Sequence, residues 1–395
     1  MALMDEVVIV AAKRTPIGDF LGALSALSVV ELGSLAAQKV VSDAGLGKNE
    51  VEEIVAGMIY KAGAKGNPAR QIQILSGYSD KGTACTVDQQ CGSGMRAVEI
   101  LAQQIMLGKT AAGVAVGMES MSNAAYVLHR ARTGLRMGDA PLQDTLTLDG
   151  LNCALCNYHM GMTAENLAAK YGISRQEQDE LACLSHTRAL KAQEEGIFAE
   201  EIIPVEIKDK KGNIKIVDKD EHPQPVNMER LSKLKPAFKK DGTVTAGNAS
   251  SINDGAAALV LMNAKTAAQK GVKPLAKITA TVSHGVAPDI MGIGPVYALP
   301  KALSATGLKM QDIDYFEINE AFAAQFLACQ RELKLDMERV NANGSGVGLG
   351  HPVGSTGARI LVSLIYELKR RGGRYGAASL CVGGGPAIAT IIESV

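Results

Sequence analysis

The sequence predicts a layered α/β fold made of two similar halves, and three observations predict it. Apolar, strand-like runs alternate with stretches of helical periodicity, glycines punctuate the joins, and two distant segments repeat the same order of parts. Taken in order, residues 7–11 form a continuous apolar run of β-rich residues, the pattern of a strand buried on both faces. Residues 27–44 carry helical spacing that Gly45 ends, and residues 53–60 return to strand character. From Cys91 the chain reads as a Gly-rich turn, a helix through Leu107, Gly108, then a strand over 113–117. From His351 it reads as a Gly-rich turn, a helix over 358–371, Gly372 and Gly373, then a strand over 377–382. Two such halves facing each other would bring the loops at Cys91, His351 and Cys381 together.

The middle of the chain has another texture. Helices are expected over 162–171 and 175–196, the second opened by a Ser174/Glu177 capping box and stopped by Gly196. A charged, strand-like stretch covers 202–217, and the charge run 209–221 reads as a solvated hairpin. The expected division is a first half of residues 1–120 plus 252–274, an inserted loop domain of residues 121–251, and a second half of residues 275–395.

Bulk properties narrow the functional classes. At 395 residues and 47% hydrophobic content the chain can bury one large core or several smaller ones. Lysine plus arginine balance aspartate plus glutamate at 41 each, so no overall field draws the protein to nucleic acid or an anionic membrane, and any anionic ligand is met locally. No segment approaches the ~20 apolar residues of a membrane span. The opening residues lack the basic head and long apolar stretch of a secretory signal. Seven cysteines, an odd number, fit reduced thiols in a cytoplasmic compartment.

Chemistry concentrates in four short segments. QCGSG holds Cys91 ahead of a helix, where unpaired N–H groups would favour a thiolate. A buried, inert cysteine is the competing reading. GLGHPVG holds His351 among glycines that neither helix nor strand should tolerate but that let backbone approach a substrate. CVGGG places Cys381 at a strand end with open N–H groups behind it, including that of Gly383. NEAFA supplies Asn319, for which a helix N-cap role competes. Thiolate, imidazole, amide and free N–H groups are the parts of a covalent acyl-transfer site. Cys153 and Cys156 form a C-x-x-C pair, but nothing completes four ligands, so no metal is expected.

QCGSG, AGNASSINDGAAALVLMN, NEAFAAQ, GHPVGSTGAR and CVGGG occur in the order and spacing of the thiolases, which the chain resembles from end to end. The resemblance implies a thiolase-like layered αβαβα fold with an inserted loop domain. It implies a reversible Claisen condensation of two acetyl-CoA to acetoacetyl-CoA and CoA, with a degradative 3-ketoacyl-CoA activity on longer chains as the alternative. Within it Cys91 resembles the acylated nucleophile, His351 its base, and Cys381 the acid/base acting on the second acetyl-CoA. Asn319, through a water, resembles part of one oxyanion site with His351, and the N–H groups of Cys91 and Gly383 the other.

Coenzyme A enters this picture as a substrate, with no tightly bound cofactor. The resemblance places Leu151, His159, Met160, Ala246 and Ser250 along the pantetheine, and Leu234 and Phe238 near the adenosine. Met291 and Phe322 resemble residues lining the acyl pocket, and Ala321 is a further coenzyme-binding candidate. It also implies a homotetramer, with a dimer as fallback. Four departures stand out: Asp88 where asparagine is frequent, Ser345-Gly346 for Gly-Ala, Pro386 for methionine, and Gln224 for an arginine. A ketosynthase would need a second histidine in place of Asn319, and a pure binding module leaves the histidine loop unexplained. Cys91 and Cys381 around one carbon would be near enough to bridge under oxidation.

Overall fold

The computed structural model describes residues 5–208 and 211–395. Asp209 and Lys210, at the start of the expected charged hairpin, lie outside the described residues. The flanking segments Val205–Lys208 and Ile214–Val217 pair antiparallel as a short hairpin.

Nine strands make the body: β1 (Val7–Arg14), β2 (Glu53–Gly57), β3 (Thr83–Val87), β4 (Ala112–Ser120), β5 (Asn253–Asn263), β6 (Ala276–Gly285), β7 (Tyr315–Ile318), β8 (Tyr375–Cys381) and β9 (Pro386–Ser394). Across the sheet they run β7-β8-β9-β6-β1-β5-β4-β2-β3, and Gly18–Asp19 adds a short strand against β5. Reading outward from the centre, β1-β5-β4-β2 and β6-β9-β8-β7 follow the same rule of two antiparallel pairings and then a parallel one. The repeated halves expected from the sequence are thus visible in the strand order. The strands of the two halves pair with each other at Val8 with Lys277 and Ile9 with Ala276, which joins them in one sheet.

Helices fill the layers. The first is α1 (Val29–Asp43), started by a Ser28/Glu31 capping box, which covers the outer face of the first half. Next come α2 (Ser93–Met106), α3 (Met160–Tyr171), α4 (Arg175–Glu194), α5 (Pro295–Thr306), α6 (Ala323–Leu333) and α7 (Val353–Arg371). α5 and α6 cover the outer face of the second half. α2 and α7 lie between the halves, where Met95, Val98 and Leu101 meet Ile360, Leu361 and Leu364 in one buried cluster. The result is α, β, α, β, α in section. Truncating one central side chain, as in Leu361→Ala, would cost roughly 2–5 kcal/mol.

Two expectations need correction. α7 begins at Val353, directly after Pro352, and Gly346–Leu349 is a short helical turn, so the glycines around His351 are largely helical. They are glycines because the helices press so close. A Cβ on Gly354 would stand 2.6 Å from Glu119 Oε2, and one on Gly357 would stand 2.5 Å from the Met95 nitrogen. Asn319 is also no cap, since α6 starts later, at Ala323, with Phe322 before it.

The inserted segment is tied to the body by charge. Arg14, fully buried at the end of β1, reaches Asp220 at 2.7 and 3.0 Å and Glu201 at 2.8 Å. Among the described residues no helix is long and apolar enough to cross a membrane.

Candidate active site

Cys91 sits where β3 turns into α2. Gln90, just before it, adopts a left-handed conformation (φ +47°) that a non-glycine residue rarely takes. Ser93 Oγ knits the turn by accepting from the Gln89 N–H at 2.8 Å and donating to the Gln90 carbonyl at 2.7 Å. The N–H groups of Gly383 and of Cys91 itself reach the sulfur, yet burial outweighs them and pushes the thiol up to about 11. The expectation that the helix start would yield a resting thiolate is therefore not met. Desolvation wins over the helix terminus.

His351 comes from the other half. Its N–H donates to Asn253 Oδ1 at 2.8 Å, and Gly350 (φ +99°) leaves no room for a side chain, since a Cβ there would lie 2.6 Å from the Asn253 amide. Nδ1 lies 2.6 Å from Thr356 Oγ1, while Nε2 is buried without a protein partner. Burial first, and the Arg359 charge second, hold the imidazole down to about 3, so it is neutral at physiological pH.

Glu119 braces the two loops from β4. Its carboxylate accepts from the Ile59 N–H (3.0 Å) and Tyr60 N–H (3.3 Å) of the first half and the Gly354 N–H (2.9 Å) at the start of α7. Burial pushes this carboxyl up to about 8 against the pull of those three donors.

Cys381 closes β8 and is fully buried. Burial, then the nearby charges of Cys91 and Cys329, raise its thiol well above the ordinary value. Asn319 is fully buried at the end of β7, and both its amide atoms lack a partner. Its neighbour Glu320 is satisfied by Ser185 Oγ at 2.6 Å and Asn341 Nδ2 at 2.9 Å. An unpaired buried amide is costly unless something else completes it.

One cavity of about 50 Å³ gathers Cys91, His351 and Gly383 with Leu151, His159, Met160, Ser250, Met291, Ala321 and Phe322. Cys381 packs in the apolar cluster that includes Met160, Met291 and Phe322, immediately behind that lining. Phe238 stacks on His159 (centroids 4.5 Å apart, 19° between planes) and meets Phe322 edge-on at 6.1 Å. Leu234 and Ala246 lie apart, on an outer pocket of about 180 Å³ with His186, His222, Gln224 and Arg230. Sequence reasoning missed Gln90, Gly150 and Val353 on the inner cavity and Arg230 on the outer pocket. Only the position of Gln90 beside the nucleophile could have signalled it. Among the described residues no group of three or more histidine, cysteine, aspartate or glutamate side chains is placed to hold a metal ion.

A thiol, a neutral imidazole with a free nitrogen and two inward N–H groups, carried on a doubled αβαβα body, define a covalent acyl-transfer site of the thiolase type. The chain belongs to the thiolase family: residues 7–265 match the thiolase N-terminal domain and residues 272–394 the thiolase C-terminal domain. It is 48% identical over 387 residues to an acetyl-CoA acetyltransferase of Pseudomonas aeruginosa, covering 98% of each chain. The structure of an acetyl-CoA acetyltransferase from Syntrophomonas wolfei is similar with a TM-score of 0.98 and 50% identity, over 99% of this chain and 100% of that one. Human mitochondrial 3-ketoacyl-CoA thiolase gives 0.97 and 40%, with both chains fully covered.

Proposed function

We propose that this chain is an acetyl-CoA C-acetyltransferase, which joins two acetyl-CoA into acetoacetyl-CoA and CoA through an acetyl group held on Cys91, and runs the reverse. The observation that carries this reading is the convergence of Cys91, His351 and Gly383, from opposite halves, on one small cavity.

His351 Nε2 takes the Cys91 proton as the sulfur attacks the thioester carbonyl. The oxyanion forms between the N–H groups of Cys91 and Gly383, and its collapse expels the CoA thiolate, which Cys381 protonates, leaving Cys381 as a thiolate and His351 as an imidazolium. Because the Cys91 thiol and the imidazole both rest uncharged, the first transfer accompanies attack and does not precede it. The Cys381 thiolate, a strong base because burial makes its thiol a weak acid, then removes an α-hydrogen from the second acetyl-CoA. The enolate oxygen is held by the imidazolium N–H of His351 and by a water on Asn319, whose unpaired amide suits that task. Carbon attack on the acetyl group releases Cys91 as a thiolate, which the His351 imidazolium reprotonates, and Cys381 is left as the thiol it began as. Donors fixed in advance matter here, since losing one typically costs ~10²–10³ in rate.

Leu151, His159, Met160, Ser250, Met291, Ala321 and Phe322 would line the acyl and pantetheine path. Phe238, Leu234 and Ala246 would continue it toward the nucleotide. Greater identity to acetyl-CoA acetyltransferases (48% and 50%) than to the human 3-ketoacyl-CoA thiolase (40%) favours short acyl groups over the longer substrates of degradative thiolases. The loop domain of residues 121–251 would carry coenzyme and subunit contacts. Exposed Tyr126, Leu128, Leu135, Met137 and Leu142 on and around the hairpin of Tyr126–Leu128 with Leu142–Asp144 support subunit contacts there, which we read as those of a homotetramer.

The test is mass spectrometry after brief exposure to acetyl-CoA. One acetyl group on the Cys91 peptide, absent in Cys91→Ala, is expected. Acetylation elsewhere, or none on folded protein, would sink the reading.

A further inference from the structure

The residue before the nucleophile is unusual on three counts. Gln90 holds a left-handed backbone conformation that glycine or asparagine would adopt more easily. Its amide Nε2 reaches across to donate to the Asp149 carbonyl at 2.9 Å, on the π-helical turn Leu146–Leu151. Its Oε1 and Cγ face Gly383, where an added Cβ would stand 3.3 and 3.4 Å from them. The side chain therefore spans the gap between the turn and the CVGGG loop, on the wall of the cavity that holds the Cys91 sulfur.

We infer that Gln90 is a specificity-determining residue, a strut that closes the acyl end of the cavity and limits the group carried on Cys91 to about the size of acetyl. This rests on the proposed acyl transfer and adds what decides chain length. The Gln90 side chain stands on the cavity wall beside Cys91, Gly150 and Gly383. The hydrogen bond to Asp149 holds the side chain between that carbonyl and Gly383, so in this proposal a longer chain would leave through the gap that Gln90 occupies. Other large walls, Met160, Met291 and Phe322, are packed into the buried cluster behind them. Gln90 is partly exposed on its other side, so shortening it opens a path toward solvent.

The experiment compares thiolysis of 3-ketohexanoyl-CoA with that of acetoacetyl-CoA in the parent, Gln90→Asn and Gln90→Met. Asparagine tolerates the left-handed backbone but is one methylene shorter. Its ratio of kcat/KM for the longer over the shorter substrate should rise about tenfold or more. Methionine ends at the same ε position as glutamine, and its ratio should stay near that of the parent. Brief exposure to hexanoyl-CoA should leave a hexanoyl group on Cys91 in the asparagine variant only, a readout that needs no full turnover. An unchanged ratio and no hexanoyl adduct in Gln90→Asn overturns the strut, as does a methionine variant that gains as much as asparagine. If the parent fails to act on acetoacetyl-CoA at all, the acyl-transfer reading falls instead.

Discussion

His351 Nδ1 lies 2.6 Å from Thr356 Oγ1, and the same hydroxyl lies 2.9 Å from the Pro352 carbonyl one helical turn back. A hydroxyl has one proton, and a carbonyl can only accept. Were the proton aimed at the ring, two oxygens would face each other at 2.9 Å with nothing between them. Thr356 therefore donates to Pro352 and accepts from an Nδ1–H, which leaves the lone pair on Nε2, the nitrogen facing the cavity. Thr356 is a positioning residue for the base. Thr356→Val should lower kcat about tenfold to a hundredfold, within what general-base catalysis supplies, with little change in KM. Thr356→Ser should restore most of it, and a valine variant as fast as the parent would refute the role.

The protonation states of Cys91 and His351 predict how the free enzyme meets an alkylating agent. With the thiol pushed up to about 11 and the imidazole down to about 3, neither is charged between pH 5 and pH 9. A thiolate-imidazolium pair would react with iodoacetamide at a rate flat across that range. Here the thiolate fraction grows about tenfold per pH unit, and the alkylation rate with it. Quenched-flow or mass-spectrometric counting of modified Cys91 from pH 6 to pH 9 distinguishes the two, and a plateau near neutrality contradicts the neutral pair.

This outcome marks where sequence reading reached and where it stopped. β1, β2, β4 and β8 were legible because strands covered on both faces must be apolar throughout, and the Ser174/Glu177 box marked the start of α4. The clustering of Cys91, His351 and Gly383 was legible because glycine spacing around reactive side chains has few other uses. The charge state of Cys91 was not, because a helix start is a local feature whereas desolvation depends on everything packed around the sulfur. Gly354 and Gly357 read as loop for a similar reason. What makes them glycine is the approach of Glu119 and Met95, from strands and helices far away in the chain. Gln90 carried no helical or strand signal at all, and its partner Asp149 is on a separate turn.

Glu119 links those distant parts, and its removal should be felt in both stability and rate. Three buried N–H groups depend on its two oxygens, those of Ile59, Tyr60 and Gly354. Above about pH 8, where the carboxyl is ionised and both oxygens accept, Glu119→Gln turns one acceptor into an NH₂ facing a donor, and leaving a buried donor unsatisfied costs about 1–3 kcal/mol. Urea unfolding should show that loss. Because Gly354 opens the helix that follows His351, kcat should fall as well. A variant of parental stability would mean that the brace is held by packing alone.

The outer pocket bears on coenzyme affinity. Its wall carries Gln224, where the family resemblance implies an arginine, and Arg230 is its permanently charged cation, since burial and His222 push His186 down to about 4. If the phosphorylated end of coenzyme A lies here, the missing arginine weakens binding and Arg230 compensates in part. Gln224→Arg should then lower the KM for acetyl-CoA, and Arg230→Gln should raise it, each by about tenfold for one charge-assisted hydrogen bond. Acetyl-pantetheine lacks the nucleotide and should respond to neither change, which separates lost phosphate contact from general damage to the site. Equal effects on both substrates would place the nucleotide elsewhere, and a KM that does not fall in Gln224→Arg would mean that the glutamine is no defect.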